Sequence, residues 1–282
     1  MSDKGILYLV ATPIGNLEDM TLRAIRVLNQ VDIIAAEDTR QTLKLLNHLE
    51  IKKPLISYYE HNKITKGNYI IDQLLSGKEI ALVSDAGTPG ISDPGEDLVK
   101  LAIENGINVT PIPGPVAAIA GIIASGLCSG RFVFEGFLPM NKKVRKERLS
   151  QIKSEIRTMV FYEAPHKLIY SLNDMYEVLG DRNIVLAREL TKKFEEFIRL
   201  TLKEAIEYYT LKAPKGEYVL IIEGVKEEIL EEEKIEKWNT ISLEEHLQIY
   251  LDMEMTKKEA IIKVASDRGL SKRDVYNSIM KK

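Results

Sequence analysis

Residues 84–95 read Ser84-Asp-Ala-Gly-Thr-Pro-Gly-Ile-Ser-Asp-Pro-Gly95, with three glycines, two prolines and two aspartates in one block of twelve. An apolar run, Ile80 to Val83, precedes the block, and Glu96-Asp97-Leu98-Val99 opens a helix-period segment after it. The reading is strand, shaped loop, helix. In open α/β sheets ligands lie beyond the carboxyl ends of the strands, and glycines there let the backbone approach a ligand closely. Turn chemistry alone accounts for a single Gly-Pro pair. A twelve-residue concentration of such residues points instead to a binding loop. A second such punctuation is Pro111-Ile-Pro-Gly-Pro115, followed by the small residues Val116, Ala117 and Ala118. Proline at the first position of a helix leaves the following amides free to face an anion.

These residues need a scaffold, and the chain has the means to build one. Its 282 residues, 45% hydrophobic and 29% charged, are ordinary globular composition and long enough for two domains. One cysteine, Cys128, excludes an internal disulfide framework, and the four histidines, at 48, 61, 166 and 246, are too scattered for a metal-ligand cluster. This fits a reducing cytoplasm and a site without metal. The first apolar run, Ile6 to Ala11, is too short for a signal-peptide core. The uncharged stretch from Ile107 to Gly130 has prolines at 111, 113 and 115, so its continuous helix is well short of the ~20 residues that span a bilayer. A buried helix is expected there and no membrane partner.

Apolar runs at Ile6 to Ala11, Asp32 to Ala36, Leu55 to Tyr58, Ile80 to Val83 and Ile107 to Ile112 predict strands, with helix-period segments between them. That alternation implies a mostly parallel sheet. A second set, Phe132 to Phe137, Met159 to Tyr162, Ile184 to Ala187, Glu195 to Leu202 and Tyr218 to Glu223, alternates less regularly and predicts a mixed sheet in which 184–187 and 195–202 pair antiparallel. The class is α/β. The expected organisation is an N-terminal α/β domain over 1–114, a second α/β domain over 115–226, an acidic linker over 227–240 and a basic helical module over 241–282. Formal charge supports the last two divisions: residues 1–226 carry 29 basic and 29 acidic side chains, residues 227–255 carry 2 and 10, and residues 256–282 carry 8 and 3. Ser242, Thr256 and Ser271 each stand three residues before an acid, the capping-box spacing, and so predict three helix starts. Three short helices with a basic surface describe either a helix-turn-helix-like nucleic-acid module or a small packing appendage.

The motifs Ala11-Thr-Pro-Ile-Gly-Asn-Leu17, Ala36-Glu-Asp-Thr-Arg40, Tyr59-Glu-His-Asn62, the 84–95 loop, Pro111 to Pro115, Phe161-Tyr-Glu-Ala-Pro-His166, Ala187-Arg-Glu-Leu-Thr-Lys192 and Gly216-Glu-Tyr-Val219 occur in this order. Together they resemble the 2′-O-ribose methyltransferases of small-subunit (16S) ribosomal RNA, within the tetrapyrrole-methylase superfamily. The resemblance covers residues 5–225, and the C-terminal helices are similar to that family's small terminal domain. It implies S-adenosylmethionine as cofactor, a two-domain tetrapyrrole-methylase-like fold with the cofactor in the cleft, a homodimer, and a cytidine of ribosomal RNA, free or in the assembled 30S subunit, as acceptor. Three positions depart from the pattern: Val116 stands where a small hydroxyl residue is usual, Lys63 where an acid is usual, and Lys167 where an arginine is usual. Two other enzyme readings stay open, methylation of a tetrapyrrole or of a modified histidine in a translation factor, because fold alone does not choose a substrate. A non-catalytic RNA-binding assembly protein is a third.

Carried onto this sequence, the resemblance implies cofactor contacts from Pro13, Asp85, Ala86, Gly87, Thr88, Pro89, Ile91, Ser92, Pro115, Val116, Ala117, Phe161, Tyr162, Glu163, Gly216 and Glu217. Methyl transfer from a sulfonium is an in-line displacement, helped chiefly by alignment and by a base within reach of the acceptor hydroxyl. Glu163, His166 and Asp85 are the candidate catalytic groups. Asp93 is a further candidate and the third carboxylate among them, with helix capping as its simpler role. For the RNA, Glu37, Arg40, His61 and Asn62 fall near ends of first-domain strands. Lys142, Lys143, Arg145 and Lys146 begin a basic cluster suited to phosphates, or to a solvated helix face.

Overall fold

The computed structural model describes residues 4–280, so residues 1–3 of the first domain and Lys281 and Lys282 of the basic tail lie outside the described residues. The described chain divides into two compact units, residues up to 152 with 157–223, and 153–156 with the segment from 224 onward. The first unit contains both sheets.

The N-terminal half of the first unit runs β1 (Ile6–Val10), α1 (Leu22–Gln30), β2 (Ile33–Ala36), α2 (Thr39–His48), β3 (Leu55–Ser57), α3 (Lys63–Leu75), β4 (Ile80–Val83), α4 (Gly95–Glu104) and β5 (Asn108–Ile112). The five strands form one parallel sheet in the order β3-β2-β4-β1-β5. β2 and β4 are buried at every position, as central strands covered on both faces must be. One face packs on α1 through Ala24, Val27 and Leu28, and the other on α3 and α4 through Ile70, Leu74 and Leu98. Because all five strands run the same way, their carboxyl ends and the loops that follow them share one edge.

The second half of this unit runs α5 (Ala117–Ser125), β6 (Phe132–Phe137), α6 (Lys142–Gln151), β7 (Thr158–Glu163), α7 (Leu168–Leu179), β8 (Asn183–Arg188), β9 (Glu196–Thr201), α8 (Leu202–Leu211) and β10 (Tyr218–Ile222). Its sheet has the order β6-β7-β10-β8-β9, parallel between β6 and β7 and antiparallel elsewhere, including the expected β8/β9 pair. One face carries α7 and α8 over a core of Phe161, Leu172, Met175, Leu186 and Leu220. The other packs on α5, where Gly121 brings the helix against Val219 and Ile221 so closely that a Cβ would lie 3.2 Å from the Val219 side chain. The uncharged stretch therefore holds the strand β5 and the short helix α5, and no helix among the described residues is long and apolar enough to cross a membrane.

The second unit holds α9 (Glu227–Asn239), α10 (Leu243–Asp252), α11 (Lys257–Asp267) and α12 (Lys272–Met280). The segment read from composition as a linker is thus the helix α9, and a Cβ on Gly269 would meet Ile235 of that helix at 3.1 Å. Ser242 and Thr256 close full capping boxes with Glu245 and Glu259, and the Ser271 hydroxyl accepts from Asp274 N at 3.1 Å. A small apolar core, Leu247, Tyr250, Ala260, Ile261, Val264 and Val275, lies beneath a buried polar knot. There Trp238 stacks on His246 with ring centroids 3.7 Å apart, and Arg268 donates to His246 Nδ1 at 3.1 Å and to the carbonyls of Ile241 and Ser242. Burial lowers the His246 pKa, the Arg268 charge lowers it further, and Asp267 opposes them. His246 is a neutral packing residue.

Candidate active site

A cleft of about 380 Å³ opens where the carboxyl edge of the parallel sheet meets the α5 face of the mixed sheet. The 84–95 loop forms its floor, and the loop's shape follows from its residues. Gly87 has φ +87°, a left-handed conformation that suits glycine, and pairs with the end of β1 through Thr12 N to Gly87 O at 2.8 Å and Gly87 N to Thr12 O at 3.0 Å. A Cβ there would sit 3.2 Å from Ile14 Cγ2. The Asp93 carboxylate accepts from Gly90 N at 2.9 Å and from Gly95 N at 2.7 Å, pinching the second half of the loop into the start of α4. Thr88 Oγ1 donates to the Pro115 carbonyl at 3.0 Å, which fastens the loop to the turn before α5.

The opposite wall is aromatic and apolar. Phe137 and Tyr162 meet edge to face at 5.5 Å, and Val116, Ala117, Ala187, Leu190 and Val219 continue the surface. Tyr162 Oη accepts from Ala118 N at 3.2 Å, so the phenol uses one of the amides at the start of α5, and burial raises its pKa. A bulge between Phe134 and Gly136 shifts the register of β6. Gly136, at φ +64°, leaves the room that Ser92 needs, since a Cβ would lie 3.0 Å from its hydroxyl.

Charge in the cleft is mostly negative. Glu37, Asp85, Asp93, Glu163 and Glu217 line it, with Lys192 as the cation. Burial raises the Glu37 pKa, and the charges of Asp85 and Asp93 push it the same way, against the Asp85 N–H that Glu37 accepts. Asp85 in turn accepts from Asp38 N at 2.9 Å, tying the ends of β2 and β4 together. Lys192 bridges Glu189 at 3.0 Å and Glu217 at 2.9 Å. Burial alone would lower the Lys192 pKa, but the two carboxylates outweigh it and the shift is upward. Lys192 is therefore a fixed cation.

The structure brings together Asp85, Ala86, Gly87, Thr88, Ile91, Ser92, Val116, Ala117, Tyr162, Glu163 and Glu217 of the residues expected to hold a cofactor. Pro13, Pro89, Pro115 and Gly216 do not line the cleft. Gly216 instead lets the Glu189 carboxylate pass where a Cβ would be 2.5 Å away. Phe161 is a correction. It is fully buried on the α7 face with Leu168 and Leu172, because its neighbour Tyr162 takes the cleft side of the strand.

Among the expected catalytic groups, Glu163 is committed to its own turn, accepting from Ala164 N at 2.9 Å and from the Ser171 hydroxyl. His166 is exposed and outside the cleft. Asp85 is exposed and lines it. Glu37, expected on the RNA side, faces the same space as the glycine loop.

Arg40 is paired with Asp38 at 2.7 Å, and that contact pulls the Asp38 carboxyl down to about 2. Asn62 caps the turn at Tyr59 N, and His61 is exposed beside Tyr59. Neither lines the cleft. Arg145 is also a correction: it is buried, bound to Asp174 at 2.6 Å and to the carbonyls of Pro139 and Met140, and so cannot reach a phosphate. Lys146 pairs with Glu177 at 2.5 Å, while Lys142 and Lys143 are exposed on α6.

Ile14, Phe137, Leu190, Lys192, Tyr218 and Val219 line the cleft without having been singled out. Lys192 stood inside the quoted motif 187–192. Its signal was a charged residue just beyond a strand end.

Among the described residues no cluster of His, Cys, Asp or Glu could hold a metal ion. The cleft does suit S-adenosylmethionine: a left-handed glycine for close approach, backbone donors and acceptors, an apolar aromatic slot for adenine, and carboxylates beside a cationic sulfonium.

The family model of the Tetrapyrrole (Corrin/Porphyrin) Methylases matches residues 6–206. The chain is 54% identical over 275 residues to a protein of Halalkalibacterium halodurans named Ribosomal RNA small subunit methyltransferase I, covering 98% of this chain and 94% of that one. It is 52% identical over 277 residues to the Bacillus subtilis protein of the same name, with the same coverage. Among solved structures, cobalt precorrin-4 methyltransferase superposes with a TM-score of 0.58 at 15% identity, over 77% of this chain and 94% of that one. A Thermus thermophilus uroporphyrin-III C-methyltransferase complexed with S-adenosylhomocysteine gives 0.56 at 16%, over 77% and 97%. At such identities the structural likeness speaks for the fold alone. The chain belongs to the tetrapyrrole methylase family and, within it, to the ribosomal RNA small subunit methyltransferase I proteins.

Proposed function

We propose that this chain methylates the ribose 2′-oxygen of a cytidine in small-subunit (16S) ribosomal RNA, using S-adenosylmethionine held in the 380 Å³ cleft, in the cytoplasm and as a homodimer. The observation that carries the reading is the meeting of the left-handed Gly87 loop with the raised-pKa carboxylate of Glu37 in one cleft. The names of the near-full-length relatives support RNA as the acceptor. The cofactor supplies an electrophilic methyl on a sulfonium. The chain's own work is then alignment and proton removal.

The loop backbone at 86–92 and the Phe137, Tyr162 and Val219 wall hold the donor. Glu37 takes the proton of the 2′-hydroxyl, freeing that oxygen for the methyl that the cofactor would supply when bound, with a neutral thioether as leaving group. Burial and the two neighbouring aspartates make Glu37 a stronger base than a free carboxylate. Asp85 accepts the Asp38 N–H and fixes the strand ends on either side of it. Lys192, held by Glu189 and Glu217, ties the loop after β8 to the start of β10 on the cleft's rim.

The test is methyl transfer from tritiated cofactor to three acceptors in parallel: small ribosomal subunits, their free RNA, and uroporphyrinogen III. Label in the RNA and none in the tetrapyrrole is expected. Label in the tetrapyrrole or only in protein refutes the reading, and RNA binding without any label supports the non-catalytic alternative.

A further inference from the structure

The second unit has a groove of about 550 Å³, lined by Lys257, Lys258, Ile261, Ile262, Lys272, Arg273 and Tyr276. Its chemistry is divided. Ile262 and Tyr276 are exposed apolar surface, while four cations surround them. Each pair of cations occupies the first two positions of a helix, Lys257 and Lys258 on α11, Lys272 and Arg273 on α12. These are the positions where the helix dipole disfavours positive charge, so intrahelical electrostatics gives no reason for them. The ion pair described between side chains of these helices does not give one either: it joins Asp267 to Lys263 and leaves these four out.

We propose that this groove binds single-stranded RNA, with a base stacked on Tyr276 and the adjoining phosphates held by Lys257, Lys258, Lys272 and Arg273. The inference rests on the reading of RNA as the substrate and adds a second, non-catalytic contact to it. Each nucleotide brings a flat aromatic face and an anion, which is the pairing this surface offers. An acidic peptide would satisfy the cations and leave the ring of Tyr276 and Ile262 uncovered. The underside of the groove is rigid, since Ile261 and Val275 belong to the small core and the capping box at Thr256 holds the start of α11.

The experiment is fluorescence anisotropy of a labelled twelve-nucleotide single-stranded RNA with the full chain, at several salt concentrations. For Lys272→Gln with Arg273→Gln, the slope of log affinity against log salt should fall by about 1.4, at roughly 0.7 for each phosphate contact. For Tyr276→Ala, affinity should fall about tenfold with the slope unchanged. Variants that retain the wild-type Trp238 fluorescence yet keep slope and affinity overturn the proposal. So does loss of affinity in the cation variant alone with equal competition by polyglutamate, which would identify an acidic protein surface as the partner. No step uses methyl transfer, so a wild-type protein that binds RNA through the groove but labels no ribose would refute the proposed activity and leave this contact standing.

Discussion

Replacing Gly87 by alanine should disable the cleft while leaving the fold in place, and the structure sets the size of the effect. At φ +87° an L-residue is strained by about 1–2 kcal/mol. The new Cβ would lie 3.2 Å from Ile14 Cγ2 and 3.5 Å from the Pro115 carbonyl, and moving Ile14 off its rotamer adds about 0.5–1.5 kcal/mol. The total is about 1.5–3.5 kcal/mol. If the loop is held by its two bonds to Thr12, that energy is lost from stability, roughly 3–14 °C in Tm for a unit of this size. If the loop yields, the same energy is lost from binding, roughly 10- to 400-fold in Kd. Calorimetric titration with S-adenosylhomocysteine and a thermal melt on the same sample measure both. Gly90→Ala is the control, since Gly90 shares the conformation at φ +88° but has no atom within 4 Å of where its Cβ would lie, and it should cost only the backbone strain of about 1–2 kcal/mol. Unchanged Tm and unchanged Kd in Gly87→Ala would refute the claim that this backbone position shapes the site.

Glu37→Gln should lower kcat by about 10²- to 10³-fold with cofactor affinity nearly intact, and should abolish the acid limb of the pH–rate profile, which in the wild type lies above the ordinary carboxylate value; a variant with wild-type kcat would remove Glu37 from the chemistry. Because the His246 pKa is lowered in the folded protein, the unfolded chain binds the extra proton first, so the second unit is fully stable above about pH 6.5 and loses stability as pH falls below it. Trp238, the single tryptophan and the stacking partner of His246, reports that loss by its fluorescence, and a signal flat from neutral pH to about 5 would contradict it. Asp174→Ala should destabilise the first unit by about 3–5 kcal/mol in a denaturant melt by stranding the buried Arg145, whereas replacing both partners with apolar residues should restore most of it.

The strands were legible because each is a short apolar run between turn residues, as Ile80 to Val83 is between Glu79 and the glycine loop. The antiparallel pairing of β8 and β9 followed from their short separation. The loop side of the cleft was legible for a related reason: Gly87, Gly90 and Pro89 are residues whose backbone demands are intrinsic. The opposite wall was not. Which of Phe161 and Tyr162 faces a ligand depends on which face of the sheet α5 covers, and a period of two cannot tell one face from the other. Leu190 and Lys192 reach the cleft through a loop in which Glu189 and Thr191 adopt positive φ, a conformation non-glycine residues seldom announce in sequence. Arg145 looked like one cation among many, because its partner Asp174 lies 29 residues away. The acidic segment from 227 reads as a linker, helical or not; its composition does not show that Ile235 lies close to the Gly269 turn, where a Cβ would be 3.1 Å from it.

The chemical position of the transferred methyl decides most directly whether the chain is a ribose methyltransferase. After reaction of small ribosomal subunits with labelled cofactor, the RNA is hydrolysed in alkali, which needs a free 2′-hydroxyl to cleave each linkage. Label is expected in an alkali-resistant dinucleotide whose first residue is cytidine. Label released as a mononucleotide would place the methyl on a base and contradict transfer to the ribose.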